Sequence, residues 1–177
     1  MGKVKIILKA ISFAARAHDG QIRKDEKTPY VSHAFRVSMI LRHVFGVTDE
    51  RVLAATVLHD TIEDTTTDFD DIDKEFGRDI AVWVGLLSKD KRKEEKEREE
   101  EYAAVLQGAP DAVKLIKLAD VYDNIMDAST AKSSDYLNRA LKRTAKYLQA
   151  IQSKKSEEIS LALNCIKDLI KERRKNG

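Results

Sequence analysis

The sequence predicts an all-α protein, a compact set of helices packed around one central buried helix. Three observations carry that expectation. Only seven Gly and two Pro occur in 177 residues, while Ala, Leu, Lys, Glu and Arg are abundant, a usage that suits helices. Apolar residues recur three and four positions apart along most of the chain. No stretch alternates apolar and polar residues for long enough to make a strand.

The length favours a single domain spanning 1–177, large enough to bury a sizeable core. The net charge of +2 is near balance, so composition points to neither a nucleic-acid nor a membrane partner. Cys165, the one cysteine, excludes an intramolecular disulfide framework and fits a reducing, cytoplasmic setting. Ile6-Ile7-Leu8 is too short an apolar run for a membrane span, and no signal-peptide cleavage pattern follows it.

Residues 4–18 are expected to form an amphipathic helix, with Val4, Ile7, Leu8, Ile11, Ala14 and Ala15 on one stripe and His18 as a core histidine. Residues 19–29 are polar and hold Gly20 and Pro29, a loop composition. From Val31 to Val44 a second helix carries His33 inward with Val37, Ile40 and Leu41, leaves His43 at the surface and stops at Gly46. Thr48 or Asp49 can cap the next, central helix.

That helix is apolar on all sides from Val52 to Leu58 except at Thr56, the pattern of a buried element. It runs into His59, Asp60, Glu63 and Asp64. Continued helical spacing would set His59 over Glu63 and Asp60 over Asp64. Phe69, Ile72 and Phe76 mark a short helix ended by Gly77, and Ile80, Trp83, Val84 and Leu87 mark another, with Trp83 as a core aromatic. Residues 89–101 are all charged, six basic and seven acidic. Such a run suits a solvated helix face or flexible connector, although its basic front, 89–93, is able to attract phosphates if it folds over a site.

Pro110 and Asp111 suit a helix start, and this helix reaches about Ala128. Its stripe Val113, Ile116, Asp120, Asn124, Asp127 begins apolar and turns polar. Ser133 or Ser134 is placed to cap a helix to about Ile151. Ser156 is placed to cap a last amphipathic helix with Ile159, Leu163, Ile166 and Ile170. The basic end 171–175 reads as solvated.

Inward-facing His33, His59, Asp60 and Asp120 stand out, because a buried charge needs a partner or a metal. Two imidazoles and two carboxylates form a mixed nitrogen and oxygen set suited to a divalent transition metal with room for water and substrate. Glu63 and Asp64, one turn beyond the His-Asp pair, are candidates to orient that water or move its proton. They are equally able to serve as supporting acids.

The order His…His-Asp…Asp resembles the HD-domain metal-dependent phosphohydrolases. The match widens through AHDGQIRK at 17–24, TPYVSH at 28–33, LHDTIEDT at 58–65, Phe76-Gly77 and Lys117-Leu-Ala-Asp120 with Asn124. These segments follow the order seen in the hydrolase domain of RelA/SpoT proteins, and most resemble its small stand-alone members of the metazoan SpoT type. The resemblance covers about residues 5–130; the helices over 133–175 are less diagnostic.

It implies an all-helical HD fold and one Mn²⁺ held by His33, His59, Asp60 and Asp120, with Glu63 and Asp64 activating water. Arg23 and Lys24 match a loop that packs on a guanine base, and Asn124 and Asp127 match polar positions near the nucleotide sugar and phosphates. The implied reaction is hydrolysis of the 3′-pyrophosphate of (p)ppGpp to GDP or GTP and pyrophosphate, with the nucleotide as the small-molecule partner and no synthetase or regulatory domain after Gly177.

The chain departs from the pattern at Val121, where the family usually has Lys or Arg, and at Tyr122, where an aliphatic residue is usual. Asp123 replaces an aromatic or His, and Met126 replaces a basic residue. Those departures motivate an alternative substrate, a ppApp-type alarmone or the 2′-phosphate of NADPH. A nucleotide sensor without turnover is the reading from another class.

Overall fold

The computed structural model describes residues 4–128, 134–152 and 156–175. Among the described residues ten helices follow one another: α1 (Val4–Ala17), α2 (Val31–His43), α3 (Glu50–Leu58), α4 (Thr61–Asp64), α5 (Phe69–Phe76), α6 (Arg78–Leu87), α7 (Glu95–Gly108), α8 (Asp111–Ala128), α9 (Ser134–Ile151) and α10 (Glu157–Lys175). Among the described residues the only β pairing is an isolated antiparallel bridge, Ile22 to Pro29, at the base of the α1–α2 loop. No helix of the described residues is long and apolar enough to cross a membrane.

α3 lies at the centre, as its all-round apolar sequence requires. Every residue from Val52 to Leu58 is buried, and α1, α2 and α6 pack around it. Its start is fixed by Asp49 rather than Thr48, since the Asp49 side chain accepts the Arg51 N–H. α8 forms the second axis and packs on α2, α9 and α10. Asp68 and Asp71 close a reciprocal capping box at the start of α5. That helix ends at Gly77, whose φ of 87° suits glycine and no bulky residue. Ser133 lies outside the described residues, while Ser156 Oγ accepts the Ile159 N–H as a cap for α10.

The central helix differs from a continuous one that would set His59 over Glu63 and Asp60 over Asp64. It stops at Leu58, turns at His59 and Asp60, and restarts as the single turn α4. Asp60 sits at φ −99°, ψ −2°, between the helical and extended regions. Side chains compete for the backbone carbonyls that lead into the turn. Thr56 Oγ1 donates to Val52 O at 2.7 Å, Thr61 Oγ1 donates to Leu58 O at 2.7 Å, and His59 Nδ1 lies 2.8 Å from Thr56 O. Such bonds offer the chain an alternative to the regular helical ladder.

Trp83 is a core aromatic only in part. It packs on the rim of the core, with the Arg51 guanidinium 5.8 Å from its ring centroid. Leu41 is fully buried on the opposite side of α2 from solvent. Leu41→Ala is expected to lower unfolding free energy by about 2–5 kcal/mol, read from the midpoint of urea denaturation.

Candidate metal and active site

Three elements meet at one buried point: the first turn of α2 brings His33, the break after α3 brings His59 and Asp60, and the middle of α8 brings Asp120. The donor atoms of His33, His59 and Asp60 all lie within 4.8 Å of one another. Asp120 Oδ1 approaches to 3.2 Å from His33 Nε2 and 4.0 Å from His59 Nε2. Both histidines are buried, and each has its Nδ1 tied: His33 to Asp123 Oδ2 at 2.6 Å, His59 to the Thr56 carbonyl at 2.8 Å.

In the neutral ring that a metal would bind, Nδ1 as the donor leaves Nε2 as a lone pair aimed at the shared point; without an ion the neighbouring carboxylates favour the protonated ring. His59 Nε2 is buried with no hydrogen-bond partner, since Asp60 Oδ2, 3.1 Å away, lacks the geometry for a bond. An orphaned imidazole nitrogen facing two carboxylates fits a divalent cation of the borderline class.

The electrostatics agree. Burial opposes the His33 imidazolium, yet hydrogen bonds to Asp120 and Asp123 outweigh it and raise the group to about 9. Burial likewise opposes charge on His59, and neighbouring Asp60 raises it nonetheless. Asp60 and Asp120 are held below the usual carboxylate range despite burial, Asp60 by His59 and Asp120 by Lys117. The point is therefore strongly attractive to positive charge.

Glu63 and Asp64 lie beside this group in α4. Glu63 Oε2 accepts the Lys89 N–H at 3.0 Å. Burial raises its carboxyl above the ordinary glutamate value, against the pull of Lys89. Asp64 accepts from Tyr30 Oη at 3.1 Å and is bonded by the Lys91 ammonium. A cleft of about 430 Å³ opens over these acids and carries five basic side chains: Arg23, Lys24, Lys89, Lys117 and Arg143. Asn124 lines it too, and donates to Asp120 Oδ1 at 2.5 Å. Asp127 does not line it. Its carboxylate binds Arg23 Nη2 at 2.6 Å and faces Arg36 Nη2 at 3.4 Å, so it braces the α1–α2 loop from behind.

Several residues at the site escaped sequence reasoning. Tyr30 donates to Asp60 Oδ2 at 2.6 Å and bridges Asp60 to Asp64. Lys117 Nζ bonds Asp120 Oδ2 at 2.7 Å and lies 5.2 and 4.7 Å from the ring centroids of Tyr102 and Tyr147. Both stand in segments that carry the family resemblance, TPYVSH and Lys117-Leu-Ala-Asp120, three residues before a candidate ligand, but the sequence alone assigns a role to neither. The charged run is less solvated than its composition suggests. Glu99 is 6% exposed, accepts from Tyr147 Oη and pairs with Lys89 at 3.3 Å. His18 is buried, as expected, with its Nδ1 2.8 Å from Gln21 Oε1 and its Nε2 without a partner among the described residues.

An all-helical fold in which adjacent His and Asp at a helix break meet a His and an Asp from two other helices defines a class of metal-site proteins. The chain belongs to the HD-domain family, whose model matches residues 10–150. Family membership implies a divalent metal, and His33, His59 and Asp60 form the group able to hold one.

The chain is 43% identical over 123 residues to the guanosine-3′,5′-bis(diphosphate) 3′-pyrophosphohydrolase MESH1 of Xenopus tropicalis, covering 69% of each chain. It is 41% identical over 122 residues to the Homo sapiens protein of that name, covering 68% of each. A solved structure described as a metazoan ortholog of SpoT that hydrolyzes ppGpp superposes with a TM-score of 0.82 at 30% identity, covering 95% of both chains.

Binding at this site is expected to raise the melting temperature. Adding Mn²⁺ to chelator-treated protein should raise it, and His59→Ala should abolish the rise, since only a species that binds the folded state stabilises it.

Proposed function

We propose that this chain is a Mn²⁺-dependent phosphohydrolase that removes the 3′-pyrophosphate of (p)ppGpp. The observation that supports the reading is that Glu63 and Asp64 line the same cation-rich cleft as His33, His59, Asp60 and Asp120. The names of the relatives supply the substrate, and the mixed donor set suits manganese.

His33, His59, Asp60 and Asp120 would hold the ion, which when bound polarises a phosphoryl oxygen and makes water a better nucleophile. Lys117 offsets the charge of Asp120, and Asn124 fixes its orientation. Glu63 takes the proton of the attacking water, for which a raised carboxyl is the better base. Asp64, steadied by Tyr30 and Lys91, orients that water. The water oxygen joins the phosphorus next to the ribose, the bond from that phosphorus to the 3′-oxygen breaks, the 3′-oxygen takes a proton from solvent in the open cleft, and GDP or GTP leaves with pyrophosphate as the second product. Arg23 and Lys24, on the loop at the rim, pack on the base.

Lys89 is the cation assigned to meet the departing pyrophosphate, because its backbone N–H is fixed on Glu63 and the residue lines the cleft, with its ammonium paired to Glu99 in the absence of substrate. It stands in for the charge that Val121 lacks. Of the departures from the family pattern discussed above, Val121 alone lines the cleft, whereas Asp123 and Met126 line a groove between α2 and α8. That placement favours the guanine alarmone over a substrate altered throughout.

A nucleotide panel with Mn²⁺ tests the reading: ppGpp is expected to outcompete ppApp and NADPH in product release. Preference for either of the others transfers the proposal to that substrate, and tight binding without product supports a sensor. Glu63→Gln is expected to lower kcat by about 10²–10⁴-fold with metal affinity retained. Lys89→Met removes a charge that lowers Glu63, so the acid limb of the kcat profile should move to higher pH while KM rises.

A further inference from the structure

The two histidines of the site are backed differently. His59 Nδ1 meets a neutral peptide carbonyl, Thr56 O, at 2.8 Å. His33 Nδ1 meets a carboxylate, Asp123 Oδ2, at 2.6 Å. Asp123 is only 2% exposed, and its side chain points away from the cleft. It is also one of the residues at which the sequence leaves the family pattern, so the family offers no role for it.

Arg36 grips that carboxylate with two parallel bonds, Nε to Oδ1 at 2.7 Å and Nη2 to Oδ2 at 2.8 Å. The geometry repeats along the α2–α8 contact. His33 and Arg36 are three residues apart on α2, Asp120 and Asp123 three apart on α8. Residues at this spacing lie on one helix face, so His33 faces Asp120 at 3.2 Å and, one turn on, Arg36 faces Asp123. The second pair is a fork-to-fork contact, the form of ion pair that fixes orientation as well as distance.

We propose that Asp123 is a positioning residue of the metal site: its carboxylate, clamped by Arg36, fixes the His33 ring with Nδ1 as donor and Nε2 free. Asp123 does not touch the metal. A carboxylate behind an imidazole ligand sets the tautomer, stops the ring rotating and makes the other nitrogen a stronger donor. Arg36, 42% exposed at the side chain, holds Asp123 in register from the outer face of the contact.

This inference rests on the metal-site reading, and one set of measurements separates the two. Mn²⁺ affinity is measured by chelator competition on the full chain for wild type, Asp123→Asn, Asp123→Ala, Arg36→Met and His59→Ala, with the melting temperature of each metal-free protein alongside. Asp123→Asn and Asp123→Ala are expected to weaken affinity by about 10–100-fold. Arg36→Met, which loosens Asp123 without removing it and keeps the proposal testable if the Asp123 variants fail to fold, should weaken it by a smaller factor. Excess Mn²⁺ should restore turnover in each. Wild-type affinity in folded Asp123→Asn, or in Arg36→Met where the Asp123 variants do not fold, overturns the proposal, even when the melting temperature falls, because packing alone then explains the residue. Unchanged affinity in His59→Ala overturns the metal-site reading itself.

Discussion

A carboxylate in the middle of a buried helix is the constraint around which this protein is arranged. Asp120 is 6% exposed, with Ile116, Leu118 and Ala119 fully buried before it. An isolated charge there would be expelled or neutralised. The chain instead surrounds it: Lys117 on one oxygen, Asn124 and His33 on the other. Lys117 then needs its own accommodation and finds it over the faces of Tyr102 and Tyr147. Tyr147 bonds Glu99, Glu99 pairs with Lys89, and the Lys89 backbone fixes Glu63. One buried charge thereby reaches the candidate catalytic acid through helices distant in sequence.

The break between α3 and α4 matters as much. A continuous helix would carry His59 and Asp60 past each other on different faces, a residue's rotation apart. The turn at Asp60 lets both side chains approach the same point, with His59 Nε2 and Asp60 Oδ2 3.1 Å apart. Two threonine hydroxyls and one imidazole hold the turn by occupying carbonyls of the helix that leads into it. The departure from helical regularity is local, and the buried apolar run from Val52 to Leu58 absorbs its cost.

Much of this was legible in the sequence. The helices follow from their periodicity, and His33, His59, Asp60 and Asp120 stand out because each continues an apolar stripe. What was not legible lies in contacts between helices. Nothing in Lys117 marks it as buried, since a lysine on an amphipathic helix ordinarily turns its ammonium to water. Glu99 sits within thirteen consecutive charges, and only the packing of α7 on α9 singles it out. Asp127 continues the stripe of Asp120 and Asn124, yet by its position the helix has carried it past the cleft to the back of the loop. Periodicity shows which face a residue shares; the length of the contact along that face is a tertiary property.

The α1–α2 loop is fastened at both feet. Gln21 Nε2 donates to the Asp64 carbonyl at 2.7 Å, the Ile22–Pro29 bridge closes its base, and Arg23 is tied to Asp127. Asp25, by contrast, bonds only within the tip, to Lys27 and Thr28. Backbone bonds from Arg23 N to Thr28 O at 2.8 Å and from Glu26 N to Arg23 O at 2.9 Å join that tip to the fastened part. The cleft is lined from the fastened part of the loop, by Ile22, Arg23 and Lys24, so exchange of those side chains is able to retune ligand choice while the acids at the floor keep their places.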